Sequence, residues 1–216
     1  KYLISSLDQS LKRMKVDYVD VFYSHRYDPD TPLEETMQAL VDIVRSGKAL
    51  YAGISNYPVE AAEYAYNYLR YHDTPCLLHQ LKYSILHRVP ENEGLLQQAK
   101  EAGSGFIAFS PLAQGLLTDR YLGGIPEDSR AARDFTLKKS SITAELVEKL
   151  KKLDEIASDR GQSLAQMALS WVLKDDLVTS VIVGASSISQ LDDNLQAVQN
   201  TDFCEEEIKI INDLTI

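Results

Sequence analysis

Apolar runs typical of buried β-strands recur about thirty residues apart in the first half of the chain, with a helical pattern between them. The runs are YVDVFYS at 18–24, ALYAGIS at 49–55, CLLHQ at 76–80 and GFIAFS at 105–110, and a fifth run, SVIVG, follows at 180–184. This period accommodates a strand, a crossover helix and two loops, so it predicts right-handed βα units and a parallel sheet. Because the runs are almost continuously apolar, we expect strands that are buried on both faces. The predicted fold class is α/β.

Helix signals precede the first run and follow it. Apolar residues at helical spacing open the chain, namely Leu3, Leu7, Leu11 and Met14. The segment Thr31-Pro32-Leu33-Glu34 has the pattern of a capping box with proline at the first helical position, and it predicts a helix to about Ser46. Gly47 suits the left-handed residue that ends such a helix.

Further helices are predicted near 59–71, 92–102 and 145–158. A second capping box, Ser163-Leu164-Ala165-Gln166, begins the helix that holds Trp171. Between 111 and about 140 no clear helix is predicted, and a connection of that length in a compact domain is usually functional or disordered.

Length and composition limit the class of protein. The chain has 216 residues, of which 44% are hydrophobic, which suits a single α/β domain. Its formal net charge of −10 disfavours binding to nucleic acid or to anionic membranes, and no apolar run approaches the ~18 residues of a membrane span. Cys76 and Cys204 lack CxxC or metal-ligand spacing, and the charged opening residues lack a signal-peptide pattern. A cytoplasmic location is therefore expected.

Polar or aromatic residues stand at the carboxyl end of each predicted strand. They are His25-Arg26, Ser55-Asn56, Gln80, Phe109-Ser110 and Gly184-Ala185-Ser186. Parallel α/β folds take their functional groups from these ends. Each residue alone has a structural explanation, since serine and asparagine cap helices, Gln80 could bond a neighbouring strand and Phe109 could be core. Five strands that end in the same way favour a shared functional site.

Other kinds of site are disfavoured by motifs that the sequence lacks. Neither GxGxxG after a strand nor GxxxxGK[ST] occurs, which argues against a Rossmann or P-loop nucleotide site. His72, His79 and His87 are not spaced as metal ligands, so we interpret all three as structural and expect no metal.

Five motifs together resemble the aldo-keto reductase family in their order and spacing. They are VDYVDVFYSHR, GKALYAGISNY, HQLKYS, AFSPLAQGLLTDRYLGGIPEDSR and VIVGASSISQLDDN. The closest branch is that of the bacterial glyceraldehyde-3-phosphate reductases, which are related to the potassium-channel β-subunits. The resemblance implies a (β/α)8 TIM-type barrel, of which residues 1–216 would be the C-terminal five βα units, strands four to eight, within one domain. It also implies a longer polypeptide, with roughly 90 to 120 further residues upstream.

The resemblance implies that NADPH binds in extended form at the carboxyl ends of the strands. Ser55, Asn56 and Gln80 resemble residues that bond the nicotinamide carboxamide, and Phe109 matches the aromatic position against the nicotinamide ring. The residues that match the loop beside the pyrophosphate are Ser110, Pro111, Leu112, Gln114 and Gly115, and those that match basic positions near the adenosine phosphate are Arg120 and Arg130. The adenosine-binding stretch is matched by Gly184, Ser186, Gln190, Asp193 and Asn194. Ser187 departs from the arginine of close relatives, so NADH stays an alternative to NADPH.

The family's catalytic set is Asp, Tyr, Lys and His, and only the histidine has a match here. His25 occupies the position of the histidine that orients the carbonyl oxygen, and the resemblance places the other three residues upstream. The implied function is reduction of small aldehydes or ketones, such as glyceraldehyde 3-phosphate or methylglyoxal, by an enzyme for which a homo-oligomer is one option.

Two alternatives to this enzyme stay open. One is a redox-sensing regulatory subunit that binds NADPH to report on it, and the other is a truncated barrel kept for protein interaction. His25 favours the enzyme over the regulatory subunit, because the channel branch generally has asparagine at that position.

Overall fold

The structure is a computed structural model that describes residues 1–127, 129–134 and 136–215. Its helices are α1 (Tyr2–Met14), α2 (Leu33–Arg45), α3 (Val59–Tyr71), α4 (Val89–Asn92), α5 (Leu95–Glu101), α6 (Ala144–Asp159), α7 (Leu164–Val172), α8 (Ile188–Leu195) and α9 (Glu205–Thr215). Its strands are β1 (Val19–Ser24), β2 (Ala49–Ser55), β3 (Cys76–Lys82), β4 (Gly105–Phe109) and β5 (Ser180–Ile182). Short 3₁₀ turns occur at Ala113–Gly115, Asp119–Tyr121, Lys139–Ser141 and Gln196–Gln199.

The five strands form one sheet in the order β1-β2-β3-β4-β5. β1 pairs with β2, and β2 with β3, in parallel, with Ser24 opposite Ile54 and Ser55 opposite Gln80. Strands that follow one another in the chain are therefore neighbours in the sheet, as βα units require. The α/β fold class is confirmed.

The chain divides into two compact units. Unit 1 comprises Lys1–Leu81 and Pro90–Ile107, and unit 2 comprises Lys82–Val89 and Ala108–Ile216. Unit 1 holds β1, β2 and most of β3 and β4, while unit 2 holds β5 and the helices from α6 onwards. That the whole chain forms part of a single domain stays a prediction.

The core of unit 1 lies between the sheet and its first helices. Leu7 and Leu11 of α1 are buried against Ile43 of α2 and Ala49 of β2, and Leu3 packs beside them. The helical spacing at the start of the chain therefore marks the buried face of α1 at Leu3, Leu7 and Leu11, whereas Met14, at the last residue of the helix, is 53% exposed.

Unit 2 has a core around α7 and a second small core beneath its long connection. Trp171 of α7 is fully buried, with its ring centroid 5.5 Å from that of Tyr83 and the Arg88 guanidinium 4.4 Å from its ring. Beneath the segment that follows β4, the side chains of Leu116, Tyr121, Ala131 and Leu137 pack together. The segment without a predicted helix is thus a packed connection with 3₁₀ turns.

The first predicted capping box does not form. Pro32 is the N-cap of α2 and makes no side-chain cap, and Thr31 Oγ1 instead donates a 2.7 Å hydrogen bond to Asp28 Oδ2. Asp28 Oδ1 also accepts from the Asp30 N–H. The Thr31 hydroxyl is therefore part of a local turn and does not cap α2. The second box is confirmed, because Ser163 and Gln166 exchange both hydrogen bonds at the start of α7.

The helix predicted over 92–102 is divided in two. Gly94 adopts a left-handed backbone with φ of 76°, which separates α4 from α5.

Burial of the strands on both faces is found only in part. All of Ala52–Ser55 in β2 is buried, whereas β1 is partly exposed and β5 has two exposed residues. β1 and β5 stand at the two ends of the sheet order, where fewer neighbours cover a strand. Within the described residues, no helix has the length and apolar content to cross a membrane.

Candidate active site

Four of the predicted site residues lie in unit 1, at the carboxyl ends of three adjacent strands. Ser55 is the last residue of β2, and Gln80 of β3 is its partner in the sheet register. His25 follows β1 directly and is exposed, whereas Ser55 is buried. The structure therefore brings His25, Ser55, Asn56 and Gln80 to one edge of the sheet, where parallel strands end.

Asn56 joins the three strand ends through its backbone and side chain. Its N–H donates to the Gln80 carbonyl at 3.2 Å, and its Nδ2 donates to the His25 carbonyl at 3.1 Å and to Ser55 Oγ at 2.9 Å. The residue has a left-handed backbone with φ of 56°, a conformation that asparagine tolerates better than most residues. Asn56 thus fixes the backbone from which the His25 imidazole projects.

A buried hydroxyl pair beneath His25 was not found from the sequence. Ser24, the last residue of β1, shares a 2.7 Å hydrogen bond with Tyr57 Oη, and both side chains are buried. Burial raises the pKa of the Tyr57 phenol, so Tyr57 stays protonated and available for this bond. The pair is 33 residues apart in the chain, so no local pattern could have indicated it. It links the end of β1, directly before His25, to the turn after β2.

His79 and Cys76 on β3 have structural surroundings, as predicted. His79 is fully buried, and its Nδ1 lies 2.7 Å from Tyr66 Oη. Burial lowers the pKa of His79 to about 4, so the imidazole is neutral at pH 7. Burial also raises the pKa of the Cys76 thiol to about 11, which makes it a poor nucleophile. Among the described residues, no group of three or more His, Cys, Asp or Glu could hold a metal ion.

In unit 2, the residues after β4 form a tight turn with an unusual backbone. Phe109 ends β4, and its carbonyl accepts a 3.3 Å hydrogen bond from the Tyr83 N–H. Ser110, Ala113 and Gln114 have positive φ, and Gly115 follows with φ of 97°. Strained non-glycine residues cost of order 1 to 3 kcal/mol each and cluster at ligand-binding segments.

This turn lines a cavity of about 530 Å³ together with two arginines. The lining residues are Ser110, Gln114, Arg130, Arg133 and Thr136. Gln114 Oε1 is buried and has no hydrogen-bond partner within the described part of the chain. A cavity with two guanidinium groups and two hydroxyls has the chemistry to bind an anionic group such as a phosphate. The unpaired amide oxygen of Gln114 is an acceptor, so it suits a hydrogen-bond donor of a ligand rather than the anion itself.

The structure separates the two predicted basic residues of this loop. Arg130 lines the cavity, whereas Arg120 lies in the 3₁₀ turn Asp119–Tyr121 and is not among the lining residues. Arg133 lines it and was missed from the sequence, since a cation three residues after Arg130 carries no signal of its own.

The last predicted group surrounds the start of α8. Ser187 caps the helix, with its Oγ accepting from the Gln190 N–H at 3.2 Å. Gln190 Oε1 accepts from both the N–H and the Oγ of Ser186. Asn194 is buried, while Gly184 and Asp193 are exposed. Ser187 therefore has a capping role here.

These residues fit a dinucleotide without a Rossmann motif. The unpaired Gln114 oxygen and the arginine-lined cavity match the amide and phosphate contacts that such a ligand needs. Phe109, Pro111, Leu112 and Gly115 belong to the same turn, of which Pro111 is buried.

Comparisons with known proteins agree over the whole chain. The sequence model described as Aldo/keto reductase family matches residues 1–216. The L-glyceraldehyde 3-phosphate reductase of Escherichia coli (strain K12) is 51% identical in a 216-residue alignment that covers 98% of this chain and 62% of that protein. A putative voltage-gated potassium channel subunit beta of Schizosaccharomyces pombe is 34% identical in a 217-residue alignment that covers 96% of this chain and 62% of that protein.

A solved structure has the same fold. It is the crystal structure of a thermostable aldo-keto reductase in complex with the inhibitor epalrestat. That enzyme is 30% identical to this chain, and the superposition has a TM-score of 0.75 and covers 98% of this chain and 65% of that enzyme's chain. The chain thus spans less than two thirds of the length of each of these relatives.

Proposed function

Because this chain belongs to the aldo/keto reductase family, we propose that the polypeptide containing it reduces small aldehydes or ketones to alcohols with NADPH. The observation that carries this proposal is the convergence of His25, Ser55, Asn56 and Gln80 at one sheet edge, held together by Asn56. When bound, NADPH supplies the hydride that reaches the carbonyl carbon.

In unit 1, Ser55, Asn56 and Gln80 would hold the nicotinamide carboxamide. Hydroxyl and amide groups suit a carboxamide, which both donates and accepts hydrogen bonds. Fixing the carboxamide fixes which face of the ring is presented. The exposed His25 imidazole would donate a hydrogen bond to the substrate carbonyl oxygen, where negative charge develops as the carbon is reduced.

In unit 2, Phe109 would lie against the nicotinamide ring, and the turn from Ser110 to Gly115 would pass the pyrophosphate. Arg120 and Arg130 would serve the adenosine phosphate, and the group from Gly184 to Asn194 would hold adenosine. Arg130 and Arg133, which line the cavity, support the phosphorylated cofactor in a chain whose net charge is −10. NADH is the alternative that Ser187 leaves open.

Glyceraldehyde 3-phosphate is the substrate that we favour, since the E. coli relative is named as its reductase. Methylglyoxal is a second small aldehyde to be tested. The similarity to a channel β-subunit favours one other function, in which bound NADPH reports redox state. An enzyme and a reporter differ in turnover, which can be measured directly.

The test compares wild-type protein with His25→Ala in the native polypeptide. We expect NADPH-dependent reduction of glyceraldehyde 3-phosphate by the wild type, and a loss of roughly ten- to a thousandfold in kcat/KM for the variant. The dissociation constant for NADPH should stay nearly unchanged, because His25 contacts the substrate rather than the cofactor. Unaltered turnover by His25→Ala would reject its role, and NADPH binding without turnover of any aldehyde would favour the regulatory subunit.

A further inference from the structure

The start of α7 is hydrogen-bonded to α8 through Asp193. Gln166 Nε2 donates a 2.6 Å hydrogen bond to Asp193 Oδ1 and approaches the Asp193 carbonyl at 3.3 Å. Ser163 Oγ lies 3.3 Å from Asp193 Oδ2. Both carboxylate oxygens of Asp193 are therefore engaged by the two residues that form the capping box of α7.

The capping box orients Gln166 for this contact. Its Oε1 accepts from the Ser163 N–H at 3.1 Å, while its own N–H donates to Ser163 Oγ at 3.2 Å. Because the amide oxygen is used by the cap, the amide nitrogen is directed to Asp193, and the side chain has one orientation. A second attachment lies one turn further along α7, where buried Ser170 Oγ donates to the Ala197 carbonyl at 2.7 Å.

α8 has little else among the described residues to fix its position. It has eight residues, a length at which an isolated helix is marginal, and Asn194 is its only buried residue. Ile188 is 80% exposed and Leu195 is 56% exposed, so apolar packing contributes little to its orientation. The polar contacts to α7 are therefore a large part of what holds the helix.

We propose that Gln166 and Ser163 are positioning residues, which act through Asp193 to hold α8 in the orientation that binds adenosine. This inference rests on the proposed function, and it gives Asp193 a different role from a direct cofactor contact. Gln190 and Asn194 on α8 then bind adenosine from a helix whose orientation is set in advance, which reduces the entropy lost on binding.

The substitution Gln166→Glu separates this link from the cap. Glutamate keeps an oxygen that can accept from the Ser163 N–H, but it places a second carboxylate against Asp193 in place of the donor. In the native polypeptide we expect it to weaken NADPH binding by roughly fivefold, as for residues in direct contact within one polar network. Reduced nicotinamide mononucleotide, which lacks the adenosine half, should bind as it does to the wild type.

The double variant Gln166→Glu with Asp193→Asn provides the rescue. The amide nitrogen of the introduced asparagine can donate to the introduced glutamate, so the link is restored with its polarity reversed. NADPH affinity should then return to within about twofold of wild type. The matched control is Gln38→Glu, since Gln38 also donates from its Nε2 to a carboxylate, Asp42 Oδ1, and accepts at its Oε1 from Tyr68 Oη, but on α2 rather than at α8. That variant should lower the Tm without changing the dissociation constant for NADPH.

Amide hydrogen exchange of α8 gives a readout that needs no cofactor. Exchange should be faster in Gln166→Glu and normal again in the double variant. The inference would be overturned if Gln166→Glu bound NADPH as tightly as the wild type does. It would also be overturned if that variant lost equal affinity for NADPH and for reduced nicotinamide mononucleotide, or if the double variant did not regain NADPH affinity. If the wild type binds no NADPH, the proposed function fails, and the adenosine role of this link fails with it. Altered α8 exchange would then report a purely structural contact.

Discussion

At the residue scale, the proposed reactive groups and the side chains that hold them differ in burial. His25 is exposed, while Ser24, Ser55 and Tyr57 around it are each at most 3% exposed. A buried hydroxyl needs a hydrogen-bond partner, and the Ser24–Tyr57 pair provides one for both residues. The exposed His25 imidazole is therefore attached to a backbone segment that buried side chains hold in place.

Arg130 is expected to favour NADPH over NADH. Charge-assisted contacts of arginine with phosphate contribute roughly 1.5 to 3 kcal/mol when well made. Replacing both Arg120 and Arg130 with alanine should therefore weaken NADPH at least tenfold more than NADH, by dissociation constants from fluorescence titration. Because Arg130 lines the cavity and Arg120 does not, Arg130→Ala alone should account for most of the loss.

Lys138→Ala is the control for this experiment, since it removes a cation from the same connection whose Nζ donates to the Asp134 carbonyl. It should leave the ratio of the two affinities unchanged. Equal losses of NADPH and NADH in the arginine variant would reject recognition of the 2′-phosphate.

The buried His79 is expected to make the free energy of unfolding decrease in mild acid. Burial lowers its pKa to about 4 in the folded state, whereas an unfolded histidine titrates near 6.5. Between these values the unfolded state binds a proton that the native state does not. The contribution of His79 is therefore complete above pH 6.5 and falls as the pH drops towards 4. At pH 4.5 the loss should be about 2 kcal/mol relative to pH 7.

Urea unfolding of wild type and His79→Gln at both pH values measures this effect. Glutamine cannot titrate, so the variant should lose less stability than the wild type over the same interval, whatever its stability at pH 7. The same pH dependence in both proteins would assign the acid sensitivity to other groups.

At the element scale, β2 needs a glycine where it passes Tyr23 of β1. A Cβ added at Gly53 would lie 2.7 Å from Tyr23 Cε1 and 3.2 Å from the Leu78 carbonyl oxygen. Gly53→Ala must displace the ring or the strand, so we expect a destabilisation of roughly 1 to 3 kcal/mol. Because His25 follows β1 and Ser55 ends β2, kcat/KM should also fall. Gly123→Ala is the control, since an added Cβ there meets nothing within 4 Å. A similar Tm in both variants would show that the ring moves freely.

Local signals in the sequence predicted the helix ends and strands well. Gly47 has φ of 73°, as predicted for the left-handed residue after α2, although Lys15 after α1 adopts a left-handed backbone without being glycine. The capping box at Ser163 forms because the Ser163 hydroxyl accepts from the Gln166 N–H at the start of α7. The box predicted at Thr31 does not form, because the Thr31 hydroxyl is hydrogen-bonded to Asp28 instead. Contacts between distant segments have no such signal. The link from Gln166 to Asp193, 27 residues away, and the place of Arg133 on the cavity could be found only from the structure.

At the scale of the whole molecule, five ordered motifs predicted the family, and the match over residues 1–216 confirms it. The order and spacing of motifs are constrained by the succession of βα units, which is why they indicate the fold as well as the family. The substrate is less constrained, because it depends on the loops that follow the strands. The position of His25 therefore supports carbonyl chemistry without specifying the aldehyde.

Residues 1–216 expressed alone should be insoluble or molten and should not reduce aldehydes with NADPH. β1 and β5 end the sheet order among the described strands, and Tyr18 beside β1 and Ile182 in β5 are 52% and 48% exposed. Strand edges with exposed apolar side chains pair with other chains, so aggregation is expected. The resemblance also assigns proton donation to a tyrosine outside these residues, which would leave His25 without its general acid. Calorimetry and a turnover assay on the isolated fragment test both points, and a cooperative thermal transition together with measurable turnover would contradict them.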